Sequence, residues 1–211
     1  MAEIIMNKHK QVLLGLIALA LILCLGAASR QEIARLRQLM GWTTGQTLAD
    51  VGAGAGEIGI AAAGVLGSTG KVYLTELDES KRKVLEERVK DKGLKNVTVV
   101  QGAEKQTNLP DSCCDEIVLR RVYHHFTAPL DMDASLLRSL KPGGELAVID
   151  FPPRKWLTES EPVKGVPVNR GGHGIPQKVL IDEMTSAGFQ VEKVVSDWPE
   201  NSYCVIFRRA R

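Results

Sequence analysis

The sequence predicts an α/β fold in which a doubly wound sheet carries helices on both faces. Short apolar runs alternate with amphipathic helical patterns between residues 47 and 188, which is typical of repeated strand–helix units. A glycine-rich turn joins the first run to the helical pattern that follows it. Two apolar runs then follow one another at the C-terminus with no helical pattern between them, and they predict an antiparallel hairpin.

The predicted strands are runs of five or six residues, rich in valine, isoleucine, leucine and tyrosine and bounded by turn residues. Most of the first five are separated by helical patterns, so they are expected to run parallel. In chain order the strands are Thr47–Val51, Lys71–Thr75, Asn96–Val100, Asp115–Leu119, Glu145–Ile149, Gln190–Val195 and Tyr203–Arg208.

The predicted helices begin and end at residues that stabilise helix termini. Ser29 and Glu32 form a capping box at the start of the first helix, and Asp78 can cap the helix after the second strand. That helix is expected to turn Val84, Leu85 and Val89 toward the core. In chain order the helices are 29–40, Glu57–Val65, Glu79–Lys92, Asp131–Leu140 and one bracketed by Pro176 and Gly188.

The glycine turn reads DVGAGAG and begins at Asp50. Gly52, Gly54 and Gly56 allow the backbone to turn sharply and to approach a ligand without interference from a Cβ. The carboxylate of Asp50 would repel a pyrophosphate but attract a cation, so the turn favours S-adenosylmethionine, which carries an ammonium and a sulfonium group. A dinucleotide is the alternative, because the same glycines satisfy a GxGxxG fingerprint and Glu76 suits the ribose of either ligand.

Residues 42–208 resemble the class I S-adenosylmethionine-dependent methyltransferases. The segments DVGAGAG, KVYLTELD, LPDSCCDEIVLRRVYHHF and LLRSLKPGGELAVIDF occur in the order and spacing of that family's first motif and its second, fourth and fifth strands. The chain is most similar to small bacterial enzymes near the ubiquinone/menaquinone-biosynthesis (type 11) group. The resemblance implies a Rossmann-like, mostly parallel seven-stranded sheet with its last strand antiparallel and its cofactor at the carboxyl edge of the first strands.

The resemblance also implies which residues hold S-adenosylmethionine. The methionine half is expected to lie along the glycine turn, the ribose against an acid after the second strand, and the adenine beside the end of the third. Ala103 replaces the acid that usually contacts the adenine in this family, which leaves the role of Glu104 open. The expected cofactor-binding residues are Asp50, Gly52, Gly54, Gly56, Glu76, Leu77, Gly102, Ala103 and Glu104.

Methyl transfer from a sulfonium depends mainly on holding the reacting atoms in line, which can contribute roughly 7–11 kcal/mol. An acceptor that carries a proton also needs a base, worth about 10²–10⁴-fold in rate. Candidates must follow strands four and five or lie in the segment beyond them. The catalytic candidates are Tyr123, His124, His125 and His173, and the substrate-binding candidates are Arg121 and Asp150.

Each of these candidates has a second interpretation. The histidine pair and Tyr123 can pack beside the cofactor, and Asp150 can cap a loop. One of Arg120 and Arg121 is expected to face the pocket while the other pairs with a surface acid. Residues 151–175 contain many prolines and glycines and predict either a substrate lid, which includes His173, or a disordered excursion.

The N-terminus carries a run of 17 uncharged residues, Val12 to Ala28, preceded by Lys8, His9 and Lys10. A helix of that length would span about 25 Å, slightly less than a hydrocarbon core of about 30 Å. A membrane anchor in residues 1–28 is favoured because the methyl donor is made in the cytosol. The alternatives are an export signal cleaved near Ala28 and a buried helix of the domain.

The rest of the composition indicates one globular domain, residues 29–211. The hydrophobic fraction is 44%, the charged fraction 25% and the net charge +2, without a basic run long enough to follow a nucleic acid. Cys113 and Cys114 are adjacent, which suits neither an ordinary disulfide nor a metal pair. The four histidines show no zinc-ligand spacing, so no metal is expected.

Three functions follow from these patterns. The first is a small-molecule methyltransferase with a membrane anchor at residues 12–28, for which a lipophilic acceptor is one candidate. The second is a membrane-tethered protein that binds S-adenosylmethionine without catalysis. The third is an NAD-dependent oxidoreductase, which Asp50 and the LKPGG turn oppose. The identity of the acceptor atom is not encoded in any motif.

Overall fold

The computed structural model describes residues 30–153 and 174–211. The chain divides into two compact units, Met1–Leu39 and Met40–Arg211. Helix α1 covers residues 30–40, and Gly41 follows it with a φ of +66°. The predicted anchor at residues 12–28, residue Ser29 and the segment from 154 to 173, with His173, lie outside the described residues. Within the described ranges no helix is long and apolar enough to cross a membrane.

The second unit is a seven-stranded sheet with helices packed around it. Its strands are β1 (Thr47–Val51), β2 (Lys71–Glu76), β3 (Val97–Gln101), β4 (Cys114–Arg120), β5 (Leu140–Asp150), β6 (Phe189–Trp198) and β7 (Ser202–Arg209). Its described helices are α2 (Glu57–Leu66), α3 (Glu79–Asp91), α4 (Pro129–Ser139) and α5 (Gln177–Ser186), and Tyr123–His125 forms a 3-10 turn.

The strand order is β3-β2-β1-β4-β5-β7-β6. β1 to β5 pair in parallel, whereas β7 is antiparallel to both of its neighbours. The predicted α/β class, the mostly parallel sheet, its antiparallel last strand and the terminal hairpin are therefore confirmed. Because the first five strands are parallel, their carboxyl ends meet along one edge, and the loops that follow them share that edge.

Two details of the sequence-based prediction are wrong. Lys141–Gly144 was expected to be a turn before the fifth strand, but β5 begins at Leu140 and absorbs those residues as a bulge between the pairs Cys114–Leu140 and Glu116–Glu145. Val84 was expected to face inward, yet 63% of it is exposed. The buried stripe of α3 is Leu85 and Val89, four residues apart, and Val84 lies beside that stripe on the solvent side.

Burial is deepest in the centre of the sheet. β4 and β5 are covered on both faces, since adjacent residues that point to opposite faces, Ile117 and Val118 on β4 and Leu146 and Ala147 on β5, are completely buried. Asp78 caps α3 as predicted, since its carboxylate accepts a hydrogen bond from the backbone N–H of Lys81. These contacts fix the positions of β1, β2, β4 and β5, whose ends carry the candidate site.

Candidate active site

The glycine turn connects the end of β1 to α2 and depends on left-handed backbone at three positions. Gly52, Gly54 and Gly56 have φ values of +70°, +53° and +73°. A Cβ on Gly52 would lie 2.6 Å from the Val122 side chain, and one on Gly56 would lie 2.5 Å from Leu85. A Cβ on Gly54 would meet nothing within 4 Å. Two of the glycines therefore permit close packing, while Gly54 borders open space that a ligand can enter.

The backbone donors of the glycine turn are largely used within the protein. The N–H of Gly52 donates to the Thr75 hydroxyl (3.2 Å), and that of Ala53 donates to the Thr75 carbonyl (2.9 Å). The N–H of Gly54 donates to the Glu76 carboxylate at 3.1 Å. A loop that binds pyrophosphate needs its backbone N–H groups to point at the ligand, and they cannot do so while they donate to a carboxylate of the protein. The geometry therefore disfavours a dinucleotide.

Asp50 lies under the turn rather than on its surface. Its carboxylate is 3% exposed and accepts a hydrogen bond from the backbone N–H of Gly59 at 2.9 Å. Burial raises the pKa of Asp50 to about 6, while the Gly59 hydrogen bond and the charge of Arg120 act in the opposite direction. Asp50 thus ties β1 to the first turn of α2, and its expected effect on a cationic ligand stays a prediction.

Glu76 ends β2 and holds its carboxylate against the glycine turn. One oxygen accepts from Gly54, and the other accepts from the backbone N–H of Asp78 at 3.1 Å. These two bonds fix the acid beside the open space at Gly54. Next to it, Leu77 is 54% exposed. The expected contacts of Glu76 with a ribose and of Leu77 with an adenine stay predictions.

The expected adenine region follows β3. The N–H of Gly102 donates to the Glu76 carbonyl at 3.0 Å, so the ends of β2 and β3 are joined there. Ala103 donates from its backbone to Gln106, and Glu104 is exposed. The described contacts do not engage the Glu104 side chain in the fold.

His124 and Asp150 form a buried pair that the sequence did not indicate. His124 Nδ1 lies 2.9 and 3.1 Å from the two Asp150 oxygens, and the His124 backbone N–H donates to the same carboxylate at 3.1 Å. Their side chains are 6% and 0% exposed. A carboxylate at this distance requires a proton on Nδ1, so the lone pair of the neutral ring lies on Nε2. The Asp150 carboxylate is thus engaged with His124, and its expected contact with a substrate stays a prediction.

This pair lies at the same edge as the glycine turn. His124 is in the 3-10 turn after β4, and Val122, two residues earlier, is the side chain that Gly52 approaches. Asp150 ends β5, which pairs with β4 up to Arg120 and Ile149. The His125 ring is exposed and stacks near that of His124, with centroids 3.9 Å apart. Of the two histidines, His124 has the geometry of a general base.

Tyr123 is placed differently from the histidines. It is completely buried, and its hydroxyl lies 2.8 Å from Asp133 on α4 and 3.0 Å from Glu183 on α5. The phenol has a single proton, which it can donate to one of these two carboxylates at a time, and its hydroxyl lies between the helices that carry them. This placement favours the packing interpretation of Tyr123.

The two arginines after β4 each lie beside an acid, and the expected contact of Arg121 with a substrate stays a prediction. Arg121, the predicted substrate contact, pairs with Glu200 and adopts a φ of +57°. Arg120 lies 3.6 Å from Glu57 at the start of α2 and acts electrostatically on Asp50. Arg120 is therefore the arginine beside the glycine turn.

Within the described part of the chain, no three histidine, cysteine or acidic side chains converge as metal ligands would.

Thr75 and Val122 contact the glycine turn but were not among the predicted site residues. Thr75 accepts from Gly52 and Ala53, and Val122 is the surface against which Gly52 packs. Thr75 could have been predicted from the sequence, because it is a polar residue directly before the acid that ends β2. Val122 could not, because it meets Gly52 only through the pairing of β1 with β4.

A sheet of this order, with a glycine turn after β1 and a fixed acid after β2, defines the Rossmann-like methyltransferase class. The model of the ubiE/COQ5 methyltransferase family matches residues 22–161, more than half of the chain. The chain belongs to this family. The resemblance to S-adenosylmethionine-dependent methyltransferases noted in the sequence is thereby confirmed.

Individual relatives agree with that assignment. The ubiquinone/menaquinone biosynthesis C-methyltransferase UbiE of Ectopseudomonas mendocina is 34% identical over 115 residues, which cover 54% of this chain and 45% of the relative. The corresponding protein of Shewanella halifaxensis is 34% identical over 108 residues, with 51% and 43% covered. The chain thus spans less than half the length of these curated relatives. A solved S-adenosylmethionine-dependent methyltransferase from Aquifex aeolicus superposes with a TM-score of 0.70 at 28% identity, covering 85% of this chain and 92% of that one.

Proposed function

We propose that this protein transfers the methyl group of S-adenosylmethionine to a small-molecule acceptor. The observation that carries the proposal is the arrangement at Gly54, where open space meets the fixed carboxylate of Glu76. That site offers a carboxylate for ribose hydroxyls and few free donors for phosphates. The family to which the chain belongs supports the same ligand.

The bound donor would supply an activated methyl group on a positively charged sulfur. Gly54 would lie against the donor, and Glu76 would accept hydrogen bonds from the ribose hydroxyls. The exposed Leu77 side chain would cover the adenine, with Gly102, Ala103 and Glu104 around it. Since the leaving group is neutral, the chain's contribution is to hold donor and acceptor in line.

His124 is the residue that we assign as the base for an acceptor bearing a proton. Nε2 would take that proton as the methyl–acceptor bond forms, and the Asp150 carboxylate would stabilise the charge that develops on the ring. Asp150 is a positioning residue in this scheme. Its burial and its three contacts with His124 leave the ring a single orientation.

The first acceptors to test are electron-rich aromatic compounds. The curated relatives are named as C-methyltransferases of ubiquinone and menaquinone biosynthesis, which makes a quinone precursor a candidate for this chain. A lipophilic acceptor also fits a chain held at a membrane by residues 12–28. We propose this anchor from the 17-residue apolar run alone. Deleting residues 1–28 should release the protein from the membrane fraction, and continued sedimentation with membranes would rule the anchor out.

Binding of the donor is tested by calorimetry on the full chain with S-adenosylmethionine, S-adenosylhomocysteine and NAD. We expect the first two to bind and NAD not to bind. Gly54→Asn should abolish binding, because asparagine tolerates left-handed backbone while its side chain enters the ligand's space. Gly93→Asn is the matched control, since Gly93 has a φ of +63° and equally open surroundings at the end of α3. Tight binding of NAD, or equal loss in both variants, would refute the assignment.

Catalysis is tested separately from binding. The full chain is incubated with labelled S-adenosylmethionine and a panel of phenols, quinols with and without an isoprenoid tail, thiols and amines. Methylated product with any acceptor supports the enzyme. Donor binding without product across the panel would instead support a binding protein without catalysis.

A further inference from the structure

The loop before β4 brings two thiols together at the opposite end of the sheet from the glycine turn. Cys113 and Cys114 are reduced, and their sulfur atoms lie 2.9 Å apart. Cys114 is the first residue of β4 and is completely buried, whereas Cys113 is partly exposed. A residue pair within a regular strand would direct its side chains to opposite faces. This pair meets because Cys113 lies just before the strand.

The backbone that produces this contact is unusual. Ser112 adopts a φ of +48°, which is uncommon for a residue with a Cβ. Its N–H donates to the Arg138 carbonyl at 2.8 Å, and Arg209 contacts the Arg138 carbonyl and the Ser112 hydroxyl from the other side. The fold therefore holds the turn in a conformation that directs both thiols to the same side.

The two sulfurs differ in reactivity. A hydrogen bond from the Cys114 thiol lowers the pKa of Cys113, and the positive charges of Lys71 and Lys141 act in the same direction. The same contact, together with burial, raises the pKa of Cys114. Cys113 is thus the more nucleophilic of the two, because thiolates attack and thiols do not.

We propose that Cys113 and Cys114 form a reversible dithiol–disulfide site that exchanges with small-molecule disulfides. The Cys113 thiolate attacks one sulfur of the external disulfide, forms a mixed disulfide and releases one external thiolate. The Cys114 thiol then loses its proton, and the resulting thiolate attacks Cys113 Sγ and displaces the second external sulfur as a thiolate. The protons released by Cys113 and Cys114 are taken up by the two external thiolates. In total the protein loses two protons and two electrons, and the external disulfide becomes two thiols.

The closed form is expected to reopen easily. Consecutive Cα atoms are about 3.8 Å apart, shorter than the usual 4.4–6.8 Å of a disulfide. Such strain makes a disulfide more reducible, which is typical of labile and regulatory bonds rather than structural ones. The site is separate from the methyl-transfer chemistry, since it lies at the amino end of β4.

The test exposes the full chain to a series of oxidised-to-reduced glutathione ratios, followed by acid quenching, alkylation and tryptic mass spectrometry. Cys113 and Cys114 share the tryptic peptide 106–120, and Cys204 lies separately in peptide 194–208. At oxidising ratios we expect peptide 106–120 to lose both alkyl labels and two hydrogens, and peptide 194–208 to stay alkylated. Reduced glutathione should restore both labels.

Two variants make the result specific. Cys114→Ser should accumulate a glutathione adduct on Cys113, because the resolving thiol is absent, whereas Cys113→Ser should leave Cys114 unmodified. A wild-type peptide 106–120 that keeps both labels at every ratio would overturn the proposal. Persistence of the glutathione adduct in the wild-type protein would overturn it as well, since closure by Cys114 would then fail.

Discussion

Glu116 on β4 is a buried acid whose ionisation should oppose folding. It is 4% exposed and directly opposite Glu145 on β5. Burial raises the pKa of Glu116 from 4.5 to about 8, and repulsion from Glu145 adds to the shift; the side chains of Trp42 and Gln46 partly offset it. Glu145 is neutralised by Arg208 at 2.6 Å, so the proton is expected on Glu116 at neutral pH.

The consequence is a loss of stability as the pH rises. Between pH 4.5 and about 8 the unfolded chain has released the Glu116 proton while the folded chain keeps it. The folded state binds more protons, so the free energy of unfolding falls with pH across this interval. At 1.36 kcal/mol per pKa unit, the shift corresponds to about 3–5 kcal/mol of the free energy of unfolding. This contribution is fully present below pH 4.5 and is lost above pH 8.

Glu116→Gln removes the titrating group and keeps the acceptor for the Gln46 amide, which lies 3.2 Å away. Urea unfolding of the full chain, followed by tryptophan fluorescence at pH 5, 7 and 9, should show a much smaller loss of stability in the variant. Glu87→Gln, at an exposed position of α3, is the control and should follow the wild type. Parallel stability curves for Glu116→Gln and wild type from pH 5 to pH 9 would refute the reasoning.

Four further outcomes follow from the site. In the wild type, ionisation of Asp50 should lower the free energy of unfolding by about 3 kcal/mol as the pH rises from 3.8 to about 6. Asp50→Asn should lack this loss in the same urea assay. Gly59→Ala should destabilise by about 1–3 kcal/mol, because its Cβ would lie 2.1 Å from Leu74, whereas Gly64→Ala, in open space on α2, should not destabilise. His124→Gln should lower kcat by about 10²–10⁴-fold with donor affinity unchanged, while His125→Gln should leave kcat unchanged; equal effects would remove His124 as the base. Glu76→Gln should weaken donor binding by about 1–3 kcal/mol in calorimetry, with Glu87→Gln as the unaffected control.

The parts of the fold that were predictable from sequence are those that local patterns determine. β1 was predicted to the residue, and the caps at Asp78 and Gly188 were correct, because apolar runs and terminal residues act within a few positions. Val84 was misplaced because two adjacent valine and leucine positions cannot share one narrow helical stripe. The bulge at 141–144 was missed because it depends on pairing with β4.

The same distinction applies to the site. The positions of Gly54 after β1 and of Glu76 at the end of β2 were predictable, since the sequence marks both strands clearly; their contacts with a donor stay predictions. The pairing of His124 with Asp150 was not, because these residues are 26 positions apart and meet only through the parallel register of β4 and β5. The ion-pair partners of Arg120 and Arg121 were not predictable for a similar reason, since Glu57 and Glu200 are distant in sequence. No local sequence signal marks the positive φ of Arg121 either.

The two halves of the candidate site therefore differ in how the chain builds them. Most of the proposed donor half comes from one continuous stretch, residues 47–77, in which β1, the glycine turn, α2 and β2 follow one another. Residues 102–104, after β3, complete it. Its contacts are backbone hydrogen bonds and close glycine packing, so the choice of ligand is set by a short motif. The acceptor half combines the turn after β4 with the end of β5, and its chemistry depends on a buried carboxylate orienting one imidazole. We therefore expect substitutions around His124 and Asp150 to change the acceptor without disturbing the donor contacts. For the same reason the donor can be inferred from a motif, whereas the acceptor must be found by experiment.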